Sequence, residues 1–489
     1  MLFYLWLFGI FFSLSFALVY DPDFGWHIRY GKEIVEKNRI LTVDTFTHTI
    51  SGNPLVDNEW LSEAIFYLLF TNFSFFGLSF FVAGITALAL FIPIAGISGR
   101  WEIKSLLAIL SLIGSNSFLR VGPRPQNFTL LLFSLLYLCL LYYSESKKVR
   151  FIVFLPFLLL LWANMHPGYM LGIGVIVLFI VAELFRTILE SRKRKNGSLR
   201  YIFPLCLVLI FSVLFSMVRP YSEKVTGPSG SLLQAIFLPA KLASETSIIG
   251  TVRTSISEWL PPILVDIPGT LLLFGVIAVV GLFALKNFTS RDVVPLILIS
   301  FFVYFATLSR RNTPFFFLGI SPIVLLSFKK YINEFIAWKG VKVGIIVLMV
   351  GVTWNAVTRL NENISLVRAV EKKDTLYCQT LNYPCGAIEY IRRTKPSGNL
   401  YNFYTWGGYL DLVLPEYPVF IDGRIPGSIL YEEFERVFTL HKSWEEILTK
   451  YHVNIILIPR HRLFEELVTH DGKWKIAYTD DSSVVLVRN

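Results

Sequence analysis

LFYLWLFGIFFSLSFALVYDPDFGWH, residues 2–27, joins an uncharged apolar run of near-spanning length directly to two carboxylates. Such a run reads as a membrane helix, because a chain in lipid must satisfy its own backbone polar groups. No basic segment precedes it and no small-residue cleavage site stands before Asp21, so it is expected to stay on the protein. Similar runs follow at 76–99, 103–119, 126–143, 150–164, 168–187, 201–218, 264–285, 293–309, 313–328 and 341–358. The 489-residue chain is 54% hydrophobic and 16% charged, with a mean hydropathy of +0.58. That is too little charge to clothe a water-soluble protein of this length. The expected fold is a mostly α polytopic membrane protein of about eleven transmembrane helices, with a small C-terminal extracytoplasmic α/β domain.

The net charge of +10 falls mainly in short loops. Arg100 with Lys104, Lys147 to Arg150, Arg192 to Arg200, Lys286 with Arg291, and Lys329 to Lys342 all land on one side if every run crosses. That side is cytoplasmic by the positive-inside tendency, which puts the N-terminus inside and everything after about Leu360 outside. The charge therefore orients the chain in a plasma membrane and does not point to nucleic acid. The membrane domain spans 1–358, with outer loops at 21–60 and 219–262, and the outer α/β domain spans 359–489. Trp60 to Phe70 is expected to lie on the membrane ahead of the next span.

In the outer domain, Ala387–Arg393, Glu432–Leu440 and Trp444–Tyr451 read as helices. Tyr417–Ile421 and Asn454–Ile458 read as strands, and Lys473–Tyr478 with Ser483–Val487 as a closing hairpin. Cys139 and Cys206 sit in apolar runs as small hydrophobes. Cys378 and Cys385 flank a Pro-containing turn and form a disulfide if their region is extracytoplasmic and the geometry allows it.

Asp21 and Asp23, just past a helix end, can share a divalent cation, Mg²⁺ or Mn²⁺. Alternatively, one is a general base and the other orients it. The plainer reading is that they cap a helix beginning near Phe24. His27 and Asp44 follow in the same loop as candidate substrate contacts. Asp57-Asn58-Glu59-Trp60 reads first as a helix cap, and Glu59 also as a second acid near the first. No P-loop, HExxH, GxSxG or CxxC pattern occurs.

The outer ends of the runs carry Arg120 and Arg124, Asn164 and His166, Arg219, and Arg310 with Arg311. Arginine is disfavoured there, and guanidinium groups match phosphate oxygens by bidentate hydrogen bonds. Any one of them is equally well read as snorkelling to headgroups; several on one face favour anion binding. His166 alone reads as a hydrogen-bonded structural histidine. Glu258 in Glu-Trp-Leu-Pro-Pro is an interfacial anchor or a carboxylate near the acceptor. Asp422-Gly423-Arg424 after a strand reads as a turn, or less plainly as an acceptor contact.

Taken in order, these stretches resemble the GT-C class of multi-spanning glycosyltransferases, and more narrowly a bacterial branch of it. The branch opens with D-x-D-x-x-W-H-x-x-x-G, matched by Asp21, Asp23, Trp26, His27 and Gly31. Asp44-x-Phe46-Thr47-x-Thr49 and Glu59-Trp60-Leu61 follow, then Arg124-Pro-Gln126, Trp162-x-Asn164-x-His166, Glu258-Trp259-x-x-Pro262 and Arg311-Asn312-x-Pro314. Trp406 to Leu410 and Pro418 to Arg424 complete the set. The chain departs from the branch at Gly25, where a bulky residue is usual, and at Arg219-Pro220-Tyr221, where Asn-Pro is commoner. It also lacks the Trp-Trp-Asp-Tyr-Gly signature of oligosaccharyltransferases.

The resemblance implies a hexosyl or pentosyl transferase that uses a polyprenyl-phosphate-linked sugar and an extracytoplasmic acceptor (glycan, lipid or protein). Asp23 or Asp21 would be the base or metal ligand, and Arg124, Arg219, Arg310 and Arg311 the phosphate contacts. Two rivals stand beside it. A transporter or flippase of lipid-linked sugars would place ionisable groups deep within broken spans. A scaffold would use the outer domain to bind a partner.

Overall fold

The computed structural model describes residues 1–53, 57, 59–119, 122–192, 199–218, 260–261, 293–327, 337–424, 429–470 and 472–489. Arg120, Arg219, Glu258 and the run 264–285 lie outside them. Every other apolar run coincides with a helix. Among the described residues, five helical stretches are long and apolar enough to cross a membrane: Trp60–Ala95, Gln126–Ser146, Tyr169–Ser191, Leu199–Ser216 and Lys339–Lys372. Leu2–Ser15, Val149–Ala163 and Val293–Leu308 are shorter apolar helices. The chain is a multi-pass membrane protein. The helices used below are α1 (Leu2–Ser15), α2 (Phe24–Lys37), α3 (Trp60–Ala95), α4 (Gln126–Ser146), α5 (Leu155–Ala163), α6 (Tyr169–Arg192), α7 (Val293–Leu308) and α8 (Thr313–Ser327). α3 is two helices meeting at a kink, because Ser74 leaves helical geometry (φ 54°, ψ −157°).

The chain divides into two compact units. The first is drawn from Met1–Leu18, Ser79–Arg219 and Arg253–Ile364 and holds most of the apolar helices. α7 packs on α8 and on α6, and aromatic side chains fill the seams. Phe133 of α4 meets Phe302 and Phe315 edge-on at ring distances of 5.8 and 5.2 Å. Buried polar groups are paired across helices: Tyr137 donates to the Gly319 carbonyl at 2.9 Å and Ser134 to the Ala89 carbonyl at 2.8 Å. In lipid the apolar effect no longer drives helix association, so such packing and cross-helix bonds carry it.

The second unit contains Val19–Leu78 and Ser365–Asn489, so the segment that follows α1 and the C-terminal region share one core. Its sheet has the order β1-β2-β4-β3, with β1 (Asn399–Asn402), β2 (Val453–Pro459), β3 (Trp474–Thr479) and β4 (Ser483–Arg488). β1 and β2 are parallel, and the β3–β4 hairpin closes the sheet antiparallel to β2. A parallel pair needs a helical crossover. Here it is α9 (Gly407–Val413), α10 (Ile429–Phe438) and α11 (Trp444–Lys450). The expected hairpin and the Asn454–Ile458 strand are present. Tyr417–Ile421 is not a strand of this sheet: Val419 makes only an isolated parallel bridge to Thr47. Asn402 holds that segment instead, accepting from Phe420 N–H at 2.8 Å and donating to the Ile421 carbonyl at 2.9 Å.

Three contacts lock the first loop onto the C-terminal region. Thr49 donates to the Phe420 carbonyl at 2.7 Å, and His48 N–H donates to the Val419 carbonyl at 3.1 Å. Helix α2 lies so close to α9 that a Cβ on Gly25 would collide with the Gly408 backbone. That approach explains why glycine stands at position 25. The third contact is Arg424, whose side chain is only 6% exposed. It donates to Asp44 Oδ2 at 2.7 Å, to the Tyr30 hydroxyl at 2.9 Å and, through Nε, to both Asp422 oxygens at 3.0 and 3.1 Å. Asp44 Oδ1 is occupied as well, by Thr47 N–H at 2.9 Å and the Thr47 hydroxyl at 2.7 Å. Arg29 stacks on Phe46 at 4.0 Å and reaches Asp411 at 3.4 Å. Burial, and then the adjacent Asp422, push the Asp411 carboxyl well above the usual range.

Removing one partner of a buried ionic cluster leaves an uncompensated charge and costs about 3–5 kcal/mol. Arg424→Met is therefore expected to lower the thermal midpoint of the purified protein in detergent by many degrees, whereas Arg436→Met, in an exposed pair, leaves it unchanged. Cys378 and Cys385 are joined in a disulfide with their Cα atoms 6.0 Å apart, and Cys139 and Cys206 are free. Alkylation of denatured, unreduced protein should label Cys139 and Cys206 alone, with Cys378 and Cys385 gaining label only after reduction. Mass spectrometry of the peptides reads this directly.

Candidate active site

In the second unit, Asp21 and Asp23 have different environments. Asp21 is fully buried, and its Oδ1 accepts from Asp23 N–H at 3.0 Å. Asp23 is half-buried at the N-terminal boundary of α2 and does not cap the helix with its side chain. Its carboxylate lies against Gly423, where any Cβ would overlap it. A buried carboxylate that holds the backbone of a second, more open one is an orienting arrangement. Among the described residues, no third His, Cys, Asp or Glu joins these two within metal-ligand reach.

One turn further along α2, His27 is buried and pairs through Nδ1 with Glu63 Oε1 at 3.1 Å. Glu63 sits in the first turn of α3, one turn beyond Glu59, so the two carboxylates rise on one helical face. Side-chain ligand atoms of His27, Glu59 and Glu63 all lie within 4.8 Å of one another. Asp57 caps the segment, accepting from Glu59 N–H at 2.8 Å, and burial raises its carboxyl above the ordinary range. His27 and Glu59 are sequence candidates. Glu63 was missed, although its spacing of four from Glu59 at a helix start is a readable signal.

The first unit holds the described arginines. Arg310 and Arg311 occupy a 3₁₀ turn between α7 and α8, with Ser309 accepting from Arg311 N–H at 3.2 Å. The Arg310 Nε is buried without a hydrogen-bond acceptor among the described residues. An N–H of that kind is a place where an anionic oxygen is wanted. Arg124 precedes α4, where its N–H donates to Asn127 Oδ1 at 2.8 Å.

Asn164 and His166 brace the turn between α5 and α6. Asn164 donates to the carbonyls of Leu160 and Val218 at 2.9 and 3.0 Å. His166 Nδ1 lies 2.8 Å from both Thr129 Oγ1 and Gly168 N–H, and Trp162 donates to the same Thr129 oxygen at 2.8 Å. A proton on Nδ1 would point at the Gly168 N–H. Burial pushes this imidazole down to about 3, and the Arg311 guanidinium adds to the effect. His166 is a neutral acceptor at physiological pH. Asp44, as described above, spends both oxygens on Arg424 and Thr47.

No family model and no curated protein matches the sequence. Solved structures do match. The archaeal oligosaccharyltransferase AglB from Archaeoglobus fulgidus, in complex with an inhibitory peptide and a dolichol-phosphate, aligns with a TM-score of 0.54 and 12% identity, over 96% of this chain and 70% of its own. ArnT from Cupriavidus metallidurans, bound to undecaprenyl phosphate, aligns with a TM-score of 0.53 and 13% identity, over 99% of this chain and 97% of its own. Both are GT-C glycosyltransferases. At such identities the likeness is one of fold, and it runs nearly end to end: this chain has the GT-C fold.

Proposed function

We propose that the protein is a membrane glycosyltransferase that moves a sugar from a polyprenyl-phosphate carrier to an acceptor outside the cytoplasm. The observation that carries this reading is Asp23, a half-buried carboxylate held by a fully buried partner, in a chain sharing its fold with two lipid-phosphate-bound structures. Asp23 takes the proton of the acceptor hydroxyl as that oxygen attacks the anomeric carbon, and the polyprenyl phosphate departs. Asp21 keeps Asp23 in place. Arg310, with Arg124 and Arg311, offers guanidinium donors for the charge that gathers on the departing phosphate. Donors fixed in advance for that charge lower the barrier without reorganising during reaction. The unsatisfied Nε of Arg310 supports this role. The Cys378–Cys385 disulfide supports an extracytoplasmic setting for the second unit. Asn164, His166 and Asp44 act as braces that hold these segments. A metal is not required by this scheme.

General base catalysis is worth about 10²–10⁴-fold. In membranes carrying the full chain and a panel of undecaprenyl-phosphate hexoses and pentoses, Asp23→Asn should cut release of undecaprenyl phosphate by that order while its melting temperature stays at the wild-type value. Undiminished release by Asp23→Asn would remove the base assignment. Arg310→Ala should weaken binding of undecaprenyl phosphate to the purified protein roughly tenfold or more, the value of a charge-assisted hydrogen bond. Equal affinity would show that the phosphate is held elsewhere.

A further inference from the structure

The helix Lys339–Lys372 is uncharged from Val343 to Thr358, and only 11% of its apolar window is buried inside the protein, so its surroundings are chiefly membrane. With α1 and the helix Trp101–Leu119 it borders a cleft of about 660 Å³ within the first unit. Aliphatic side chains from all three helices line the cleft, Leu14, Ile113 and Val347 among them. Gly351 leaves the long helix bare there: a Cβ on it would meet nothing within 4 Å. The last lining residues of that helix are polar, Asn355 and Arg359, one helical turn apart and so on one face. Neither side chain makes a hydrogen bond or ion pair among the described residues, not even Arg359 with Glu362 three positions on. Among the described residues, no acidic side chain lines the cleft.

Aliphatic walls alone select nothing in a bilayer, because lipid tails are as apolar as leucine. A guanidinium does select. At the edge of an apolar span it is costly unpaired, and it matches phosphate oxygens by paired hydrogen bonds. The length of the cleft sets the tail. Val347 lies twelve positions before Arg359, about 18 Å along a helix. Half of a hydrocarbon core is about 15 Å thick. The cleft is therefore about one leaflet deep, with its cation at the headgroup end, and a polyprenyl carrier chain is far longer than that. We infer that the cleft holds one anionic glycerophospholipid, its phosphate on Arg359 and Asn355 and an acyl chain along Gly351. The tail fills space that side chains leave open between the long helix, α1 and Trp101–Leu119. No residue assigned to sugar transfer takes part, so the inference stands whether or not that reaction does.

The test uses the full chain in detergent, washed free of lipid and then given phosphatidylglycerol, phosphatidylcholine, undecaprenyl phosphate or inorganic phosphate. Native mass spectrometry counts retained lipid, and thermal melting reads stability. Phosphatidylglycerol should stay bound as a single copy per chain and raise the melting temperature, as any ligand of the folded state does. Arg359→Gln should cut that retention roughly tenfold, the value of a charge-assisted hydrogen bond. Gly351→Leu puts a side chain into the cleft and should abolish retention while the protein stays folded, since leucine favours helix over glycine. Val350→Leu, beside Gly351 but off the cleft, should change nothing. Equal retention of phosphatidylglycerol by wild type, Arg359→Gln and Gly351→Leu overturns the site. Phosphatidylcholine held as well as phosphatidylglycerol overturns the anionic head, and stabilisation by inorganic phosphate alone overturns the lipid. Binding of undecaprenyl phosphate lost in both variants to the same degree overturns the choice of occupant in favour of the carrier.

Discussion

A single buried guanidinium organises the second unit. Arg424 binds Asp422 from its own turn and Asp44 and Tyr30 from the segment that follows α1, residues nearly four hundred positions away in the chain. Two segments far apart in the chain are thereby held to one another. The cost of burying so much charge is offset by the several donors that Asp44 and Asp422 receive, and burial beside Asp422 pushes the Asp411 carboxyl well above the usual range. The close passage of α2 over α9 at Gly25 and Gly408, and the position of Asp23 beside Gly423, belong to the same unit.

The acidic groups of the first loop thus fall into three roles. Asp44 is structural and saturated. Asp21 is an internal strut for its neighbour but one. Asp23, the least buried of the three, is the one proposed above as the base. The His27 and Glu63 pair is a fourth case, an imidazole and a carboxyl joined at 3.1 Å between α2 and α3. Similar-looking acids in one sequence motif therefore separate by environment, which a linear pattern does not carry.

The first unit follows a parallel logic with uncharged groups. The Trp162, Asn164 and His166 motif is a brace: its hydrogen bonds run to Thr129, to two carbonyls and to Gly168. Such bonds let a turn between two apolar helices keep its polar groups satisfied. Arg310 differs in having a donor left over among the described residues.

From residues alone, the membrane character, the helix positions, the closing hairpin and the first-loop acids were legible, because apolar period and length are local properties. The Asp21 and Asp23 pair, His27, Glu59 and the arginines stood out by residue type. What sequence could not reveal was which partner each would meet. Asp422-Gly423-Arg424 read as a turn, yet its arginine is a clasp, because the partners Asp44 and Tyr30 are remote in sequence. Tyr417–Ile421 has strand composition but meets only Thr47, and Glu63 is drawn to His27 only when α2 packs on α3. The 54% apolar composition settled that the chain lives in a membrane. Long-range burial of charge, which depends on neighbours and not on order along the chain, decided which of its polar residues hold the fold and which are left to act.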